Sequence, residues 1–254
     1  SVLLQDGDLP CRKYFPIYPK LMVMMGLLTD LQELFFPRTC VVCGKILLPS
    51  EHAVCTGCLA ALPFTGFHST PADNPVARSF WGKLPVETAT SYFYYHKGGA
   101  ASCLLRALKY NGRKDIGYVL GRYAACELQP SGFFSGIDFL VPVPLHPLRE
   151  RKRGYNQSRE IARGISSIVQ IPLLETCLGR CHNNLTQTHK SSFERWQNTV
   201  GLFTATPFSA SLKDKHILLV DDVLTTGATL VACADALSGI PGLRISLFTL
   251  AWAQ

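Results

Sequence analysis

The chain has 254 residues, a formal net charge of +7, and 47% apolar against 17% charged residues. That balance excludes a disordered chain, a collagen-like fibre and a coiled coil, and it leaves room for one large domain plus a small module. The longest strongly apolar stretch, Leu21–Leu28, falls well short of the roughly 20 residues that cross a bilayer. A soluble cytoplasmic protein without membrane insertion is therefore expected.

Residues 1–21 show neither helical nor strand periodicity, and no small-x-small cleavage site follows the apolar stretch. The only methionines are Met22, Met24 and Met25. The expectation is that translation starts among them and that 1–21 is a non-native or disordered extension. Leu27, Leu28, Leu31, Leu34 and Phe35 keep helical spacing, and Pro37 ends a short amphipathic helix over 24–36.

Two Cys-x2-Cys pairs follow, Cys40/Cys43 and Cys55/Cys58, with Gly44 and Gly57 close by for tight turns. Four thiolates suit one tetrahedral Zn²⁺, which would supply folding energy that so short a segment cannot draw from a core. Two disulfides are the alternative, and the lack of a secretory signal favours zinc. His52 lies between the pairs, but four Cys already complete such a site. Cys103, Cys126 and Cys233 read as core fillers. Cys177, Cys181 and His182 make only a fragment of a metal site. The helix and zinc module span 22–64. Residues 65–85, rich in Pro, Gly, Ser and Asn, read as a linker or long loop.

From residue 86 to 254 the pattern alternates. Strands are expected at Ala89–Tyr95, Phe139–Val141, Ile217–Val220 and Arg244–Trp252. Helices are expected at Ala100–Tyr110, Ile116–Cys126, Ser158–Val169 and Ala228–Leu237. Alternation of this kind predicts an α/β domain with a mostly parallel sheet flanked by helices. The aromatic run Tyr92–Tyr95 reads as core and sheet surface rather than a base-stacking platform.

The most informative stretch is Ile217–Leu230. An apolar strand ends in Asp221 and Asp222, and the loop Thr225, Thr226, Gly227, Ala228, Thr229 opens a helix. N–H groups at a helix start favour a phosphate, and Gly permits close backbone approach. Carboxylates at a strand end accept hydrogen bonds from vicinal hydroxyls. A phosphate held beside a diol points to a sugar phosphate. Upstream, Phe139-Leu-Val-Pro-Val-Pro-Leu-His146 runs into a basic cluster. From Arg149 to Arg163 there are six basic and two acidic residues, which favours phosphate or nucleic acid.

The Ile217–Leu230 segment resembles the phosphoribosyl diphosphate (PRPP) motif of type I phosphoribosyltransferases. The Val-Pro-Val-Pro strand and the run Arg153-Gly-Tyr-Asn-Gln157 resemble the ComF family, in which a four-Cys finger precedes the transferase domain. So does the order Arg180, Gln187, Arg195, Asn198 ahead of the acidic strand, a region that forms a mobile lid in such enzymes. The resemblance covers about 26–254 and implies a pentosyl-transferring glycosyltransferase. It implies that Asp221 and Asp222 bind the ribose, that 225–229 holds the 5-phosphate, and that Mg²⁺ rides on the ligand's oxygens. Arg149, Arg153, Asn156, Gln157, Gln187, Lys190 and Arg195 are the diphosphate and lid candidates. His146 is a further candidate for ligand contact. No base-binding hood is recognisable, so the acceptor stays open. The family also implies a link to natural competence and DNA uptake. A non-enzymatic single-stranded DNA-binding accessory, with PRPP as ligand or regulator, is the second expectation.

Overall fold

A computed structural model describes residues 37–180 and 201–254. Four parallel strands form its main sheet: β1 (Ala89–Tyr95), β2 (Phe139–Pro142), β5 (His216–Leu224) and β6 (Arg244–Ala253), in the order β1-β6-β5-β2. The apolar run Ile217–Val220 and the mostly apolar Ile245–Leu250 are buried throughout, as strands covered on both faces require.

The first face carries α3 (Ala100–Tyr110), α4 (Lys114–Leu128) and α6 (Gln157–Val169). They pack with Leu140, Leu218, Val220, Phe248 and Leu250. The second face carries α2 (Pro75–Arg78), α7 (Ala228–Leu237) and a two-stranded antiparallel ribbon of β3 (Leu178–Arg180) and β4 (Phe203–Ala205). These pack with Val141, Ile217, Leu219, Ile245 and Leu247.

Connectivity fixes where a ligand can sit. From β2 the chain passes over the first face through α5 (Pro147–Arg153) and α6. It returns beside β2 on its outer edge, where the Leu140 N–H donates to Pro172 O and the Leu174 N–H to Leu140 O, both at 2.9 Å. From β5 it passes over the second face through α7 and returns as β6 on the inner side. The neighbours β2 and β5 thus send their connections to opposite faces. The crevice beyond their carboxyl ends is the topological switch point where open α/β sheets bind ligands.

Two glycines set the first-face geometry. A Cβ on Gly121 of α4 would lie 2.2 Å from Ile161 O, and one on Gly164 of α6 would lie 2.1 Å from Tyr118 O. The two helices cross backbone to backbone, which fixes where α6 starts.

The expected strands and helices of 86–254 all form. The short α5 and the β3–β4 ribbon were not expected. Residues 65–85, expected as a linker or long loop, pack against the sheet. The Tyr94 N–H donates to Pro63 O at 2.8 Å and the Thr65 N–H to Tyr92 O at 3.1 Å, so this segment begins as an edge pairing on β1. Asn74 then caps α2, its Oδ1 accepting from Val76 N and Ala77 N, and Phe80 is buried in the second-face core. Pro, Gly and Asn here make turns and caps within a packed segment. The extension 1–21 and the helix expected over 24–36 lie outside the described residues.

Candidate sugar-phosphate site and four-Cys cluster

A cavity of about 590 Å³ opens at the switch point. Strand alternation builds its floor. Ile217 and Leu219 face the second core while Leu218 and Val220 face the first. Continued, this sends Asp221 toward α7 and β3, and Asp222 toward α3. The Asp222 carboxylate meets the Lys109 ammonium of α3 at 3.0 Å. Asp221 Oδ1 accepts from Ser158 Oγ and from the Asp222 N–H, both at 2.9 Å. Burial first, and the neighbouring Asp222 charge second, push the Asp221 carboxyl above the usual carboxylate range. Burial works against the charge of Lys109, but Asp222 and Asp221 outweigh it and hold the ammonium above its ordinary value.

The loop after β5 turns through Gly227, at φ 77°, into α7, where the Thr226 hydroxyl accepts from the Ala228 N–H at 3.4 Å. Thr225 and Thr229 line the cavity. Thr226 is exposed at the turn. The opposite wall comes from the segment after β2. His146 caps α5, its Nδ1 accepting from the Leu148 N–H at 3.2 Å, so the candidate contact of His146 with a ligand is replaced by a structural one. Gly154, at φ 85°, ends α5, and the Tyr155 hydroxyl donates to Leu108 O, fastening this turn to α3.

Arg149, Arg153, Asn156 and Gln157 all line the cavity, with Arg180 from β3. Asn156 departs from the expected role. Its Nδ2 donates to Val143 O at 2.9 Å and its Oδ1 accepts from Ser158 N at 3.0 Å. The side chain clamps the end of β2 to the start of α6 and has little left for a ligand. Gln157 Nε2 and Arg180 Nε are buried with no hydrogen-bond partner among the described residues. Burial, and Arg149 nearby, lower the pKa of Arg180. Two cavity cations escaped the sequence reading, Arg106 and Lys109. With Ser102 they sit at i, i+4 and i+7 on α3, one face of a helix, and that polar stripe was the available signal. Gln187, Lys190 and Arg195 lie outside the described residues.

The four-Cys module packs onto the first-face core through Leu47, Val54, Leu59 and Leu62. The Sγ atoms of Cys40, Cys43, Cys55 and Cys58 lie within 4.8 Å of one another, with Cys43 and Cys55 at 3.7 Å. A zinc–sulfur bond of about 2.3 Å implies a tetrahedral edge of about 3.8 Å, so the cluster can hold a zinc ion. None of the four is in a disulfide. Glu51 braces the module by accepting from Leu48 N at 2.9 Å and Thr56 N at 2.7 Å. His52 is not in the cluster. Cys177 is buried, while Cys181 and His182 lie outside the described residues. Tyr92 and Phe93 are core, as expected, and Tyr95 reaches the cavity wall.

A parallel sheet with an acidic pair and a Thr–Gly loop opening a helix at its switch point defines a type I phosphoribosyltransferase-like protein. Residues 140–252 match the phosphoribosyl transferase domain. Competence protein F of Haemophilus influenzae is 25% identical over 210 residues, covering 77% of this chain and 89% of that protein. DNA utilization protein YhgH of Escherichia coli K12 is 26% identical over 211 residues, 79% and 91% of the two chains. Competence protein ComFC of Bacillus subtilis is 35% identical over 98 residues, 39% and 37% of the two chains. The phosphoribosyl transferase domain, the four-Cys cluster ahead of it and these relatives support the resemblance to the ComF family. No helix among the described residues is long and apolar enough to cross a membrane.

Proposed function

We propose that this protein binds PRPP and transfers its phosphoribosyl group. The observation that carries this reading is the convergence, in one cavity, of Asp221 and Asp222, Thr225 and Thr229 of the loop, and the arginines Arg149, Arg153 and Arg180. The acidic pair accepts the two ribose hydroxyls, as carboxylates at a strand end do. The start of α7, with Thr225, Thr226, Gly227, Ala228 and Thr229, takes the 5-phosphate. Arg149, Arg153, Gln157 and Arg180 face the diphosphate, where planar guanidinium groups make paired contacts. Gln187, Lys190 and Arg195 remain lid candidates. Mg²⁺ arrives with the ligand, because two carboxylates are too few for a dedicated cage. When bound, it screens charge on the departing diphosphate.

In the reaction, the C1–oxygen bond to diphosphate breaks and the electron pair leaves with the diphosphate. The acceptor's nucleophile bonds to C1 and loses its proton. The protein's part is electrostatic: arginines stabilise the leaving group, and the acidic pair holds the ring whose C1 turns cationic. The domain limits 22–64 and 86–254, and a cytoplasmic setting, belong to the same reading.

Thermal melting tests it. PRPP with Mg²⁺ at about 100 times its Kd is expected to add roughly 2.7 kcal/mol, a rise of several degrees in Tm. Ribose 5-phosphate, lacking the diphosphate, is expected to give less. Equal shifts for PRPP and for glucose 6-phosphate would contradict a ribose-specific site.

A second reading has its own observation. Tyr110 is 75% exposed at the cavity mouth, and the Arg153 guanidinium lies 5.7 Å from its ring centroid. Exposed rings stacked with arginine suit single-stranded DNA, in keeping with the names of the relatives. Single-strand binding that falls steeply with salt and is lost in Tyr110→Ala is the expected signature.

A further inference from the structure

The Asp222 side chain is 13% exposed and that of Lys109 26%, and both line the cavity. A group that reaches Asp222 from the cavity meets a carboxylate already paired with the ammonium at 3.0 Å. Lys109 stands in the last turn of α3, and the chain leaves the helix at Asn111 and Gly112. Its four-carbon stem ends in a compact point charge with three donors that can be redirected. Arg153 of α5 lies close enough to repel it. An anion between them converts that repulsion into two attractions.

We infer that Lys109 is an exchangeable ligand: it pairs with Asp222 here, and it passes to the diphosphate of an incoming PRPP when a ribose hydroxyl takes its place on the carboxylate. This rests on the reading above that Asp222 receives the sugar. Its consequence is that the sugar hydroxyls release the cation that helps hold the leaving group. Diphosphate engagement is thereby tied to a ligand with the correct diol. A sugar phosphate without the diphosphate gains nothing from the released lysine and must still displace it.

Calorimetric titrations of wild type, Lys109→Met and Lys109→Met/Asp222→Asn with inorganic diphosphate, ribose 5-phosphate and PRPP, each with Mg²⁺, test the inference. A lost charge-assisted contact corresponds to roughly ten- to hundredfold. Lys109→Met is expected to weaken PRPP by that factor and inorganic diphosphate, which lacks the diol that frees the lysine, far less, while ribose 5-phosphate binds unchanged or tighter. The double variant removes the uncompensated carboxylate, so it guards against misfolding, and it is expected not to recover PRPP affinity. Equal weakening of all three ligands, unchanged PRPP affinity in Lys109→Met, or recovery of PRPP binding in the double variant would show that Lys109 only neutralises Asp222. If Lys109→Met fails while wild type binds PRPP and ribose 5-phosphate normally, this inference alone falls. If wild type binds neither sugar phosphate, the sugar-phosphate reading falls and takes the inference with it.

Discussion

Phe80 lies directly against Gly227. A Cβ on Gly227 would stand 2.9 Å from Phe80 Cε1 and 3.1 Å from its Cζ. A buried ring from the segment between the four-Cys module and β1 thus supports the loop that begins α7. Gly227 also holds φ 77°, which a side chain disfavours.

Gly227→Ala therefore meets both a backbone penalty and a ring that must move. It is expected to lower Tm and to weaken binding of PRPP and ribose 5-phosphate alike, because both present a 5-phosphate. Phe80→Ala, at a residue 1% exposed, is expected to cost about 3–5 kcal/mol and to loosen the loop. Unchanged phosphate affinity in Gly227→Ala would separate this loop from the phosphate.

Asp221 gives a pH signature. The groups around it are Asp222, Lys109, Arg180, Cys233 and Ser158. Its folded-state pKa is raised, so the fold favours its protonated form. That contribution is full below about pH 4, where unfolded carboxyls titrate, and is lost as pH rises through the raised value. Asp221→Asn keeps an Oδ1 for Ser158 and the Asp222 N–H and removes the charge. The variant is expected to melt above wild type at pH 7–8, with the gap closing toward pH 4, while losing sugar binding. Melting below wild type at pH 8 would contradict the raised pKa.

The α4–α6 crossing positions Ser158 and Gln157. Gly121→Ala and Gly164→Ala each place a methyl within about 2.2 Å of a carbonyl oxygen. Each is expected to cost about 1–3 kcal/mol or more, read from denaturant midpoints. Neutral effects would mean that the helices separate freely.

Much of this was legible in the sequence. Apolar runs such as Ile217–Val220 and faces such as Leu104, Leu105 and Leu108 report burial directly, so strands and helices could be placed. Asp221, Asp222 and the Thr–Gly loop are contiguous, and contiguous motifs survive without a structure. Lys109 was legible only as part of a polar stripe on α3, because α3 and β5 are far apart in the chain and only the fold brings Lys109 to Asp222. The structural part of Asn156 was hidden because a sequence does not show that its amide bonds Val143 O and Ser158 N. Residues 65–85 read as a loop because turn residues look the same in a packed segment as in a free one.

The four-Cys module shares the first-face core, so metal loss is expected to reach the transferase domain. Zinc content by mass spectrometry is expected at one ion per chain. Chelation that removes even ~3 kcal/mol lowers the melting midpoint by about 6–12 °C. A metal-free protein with an unshifted midpoint would contradict a structural zinc site.

The most direct test is calorimetric titration of PRPP with Mg²⁺ into wild type and the Asp221→Asn/Asp222→Asn variant. Wild type is expected to bind saturably and one-to-one, and the variant, still folded, not at all. Wild type that is folded and zinc-loaded yet silent, or a variant that binds as tightly, would contradict the sugar-phosphate site at the ends of β2 and β5.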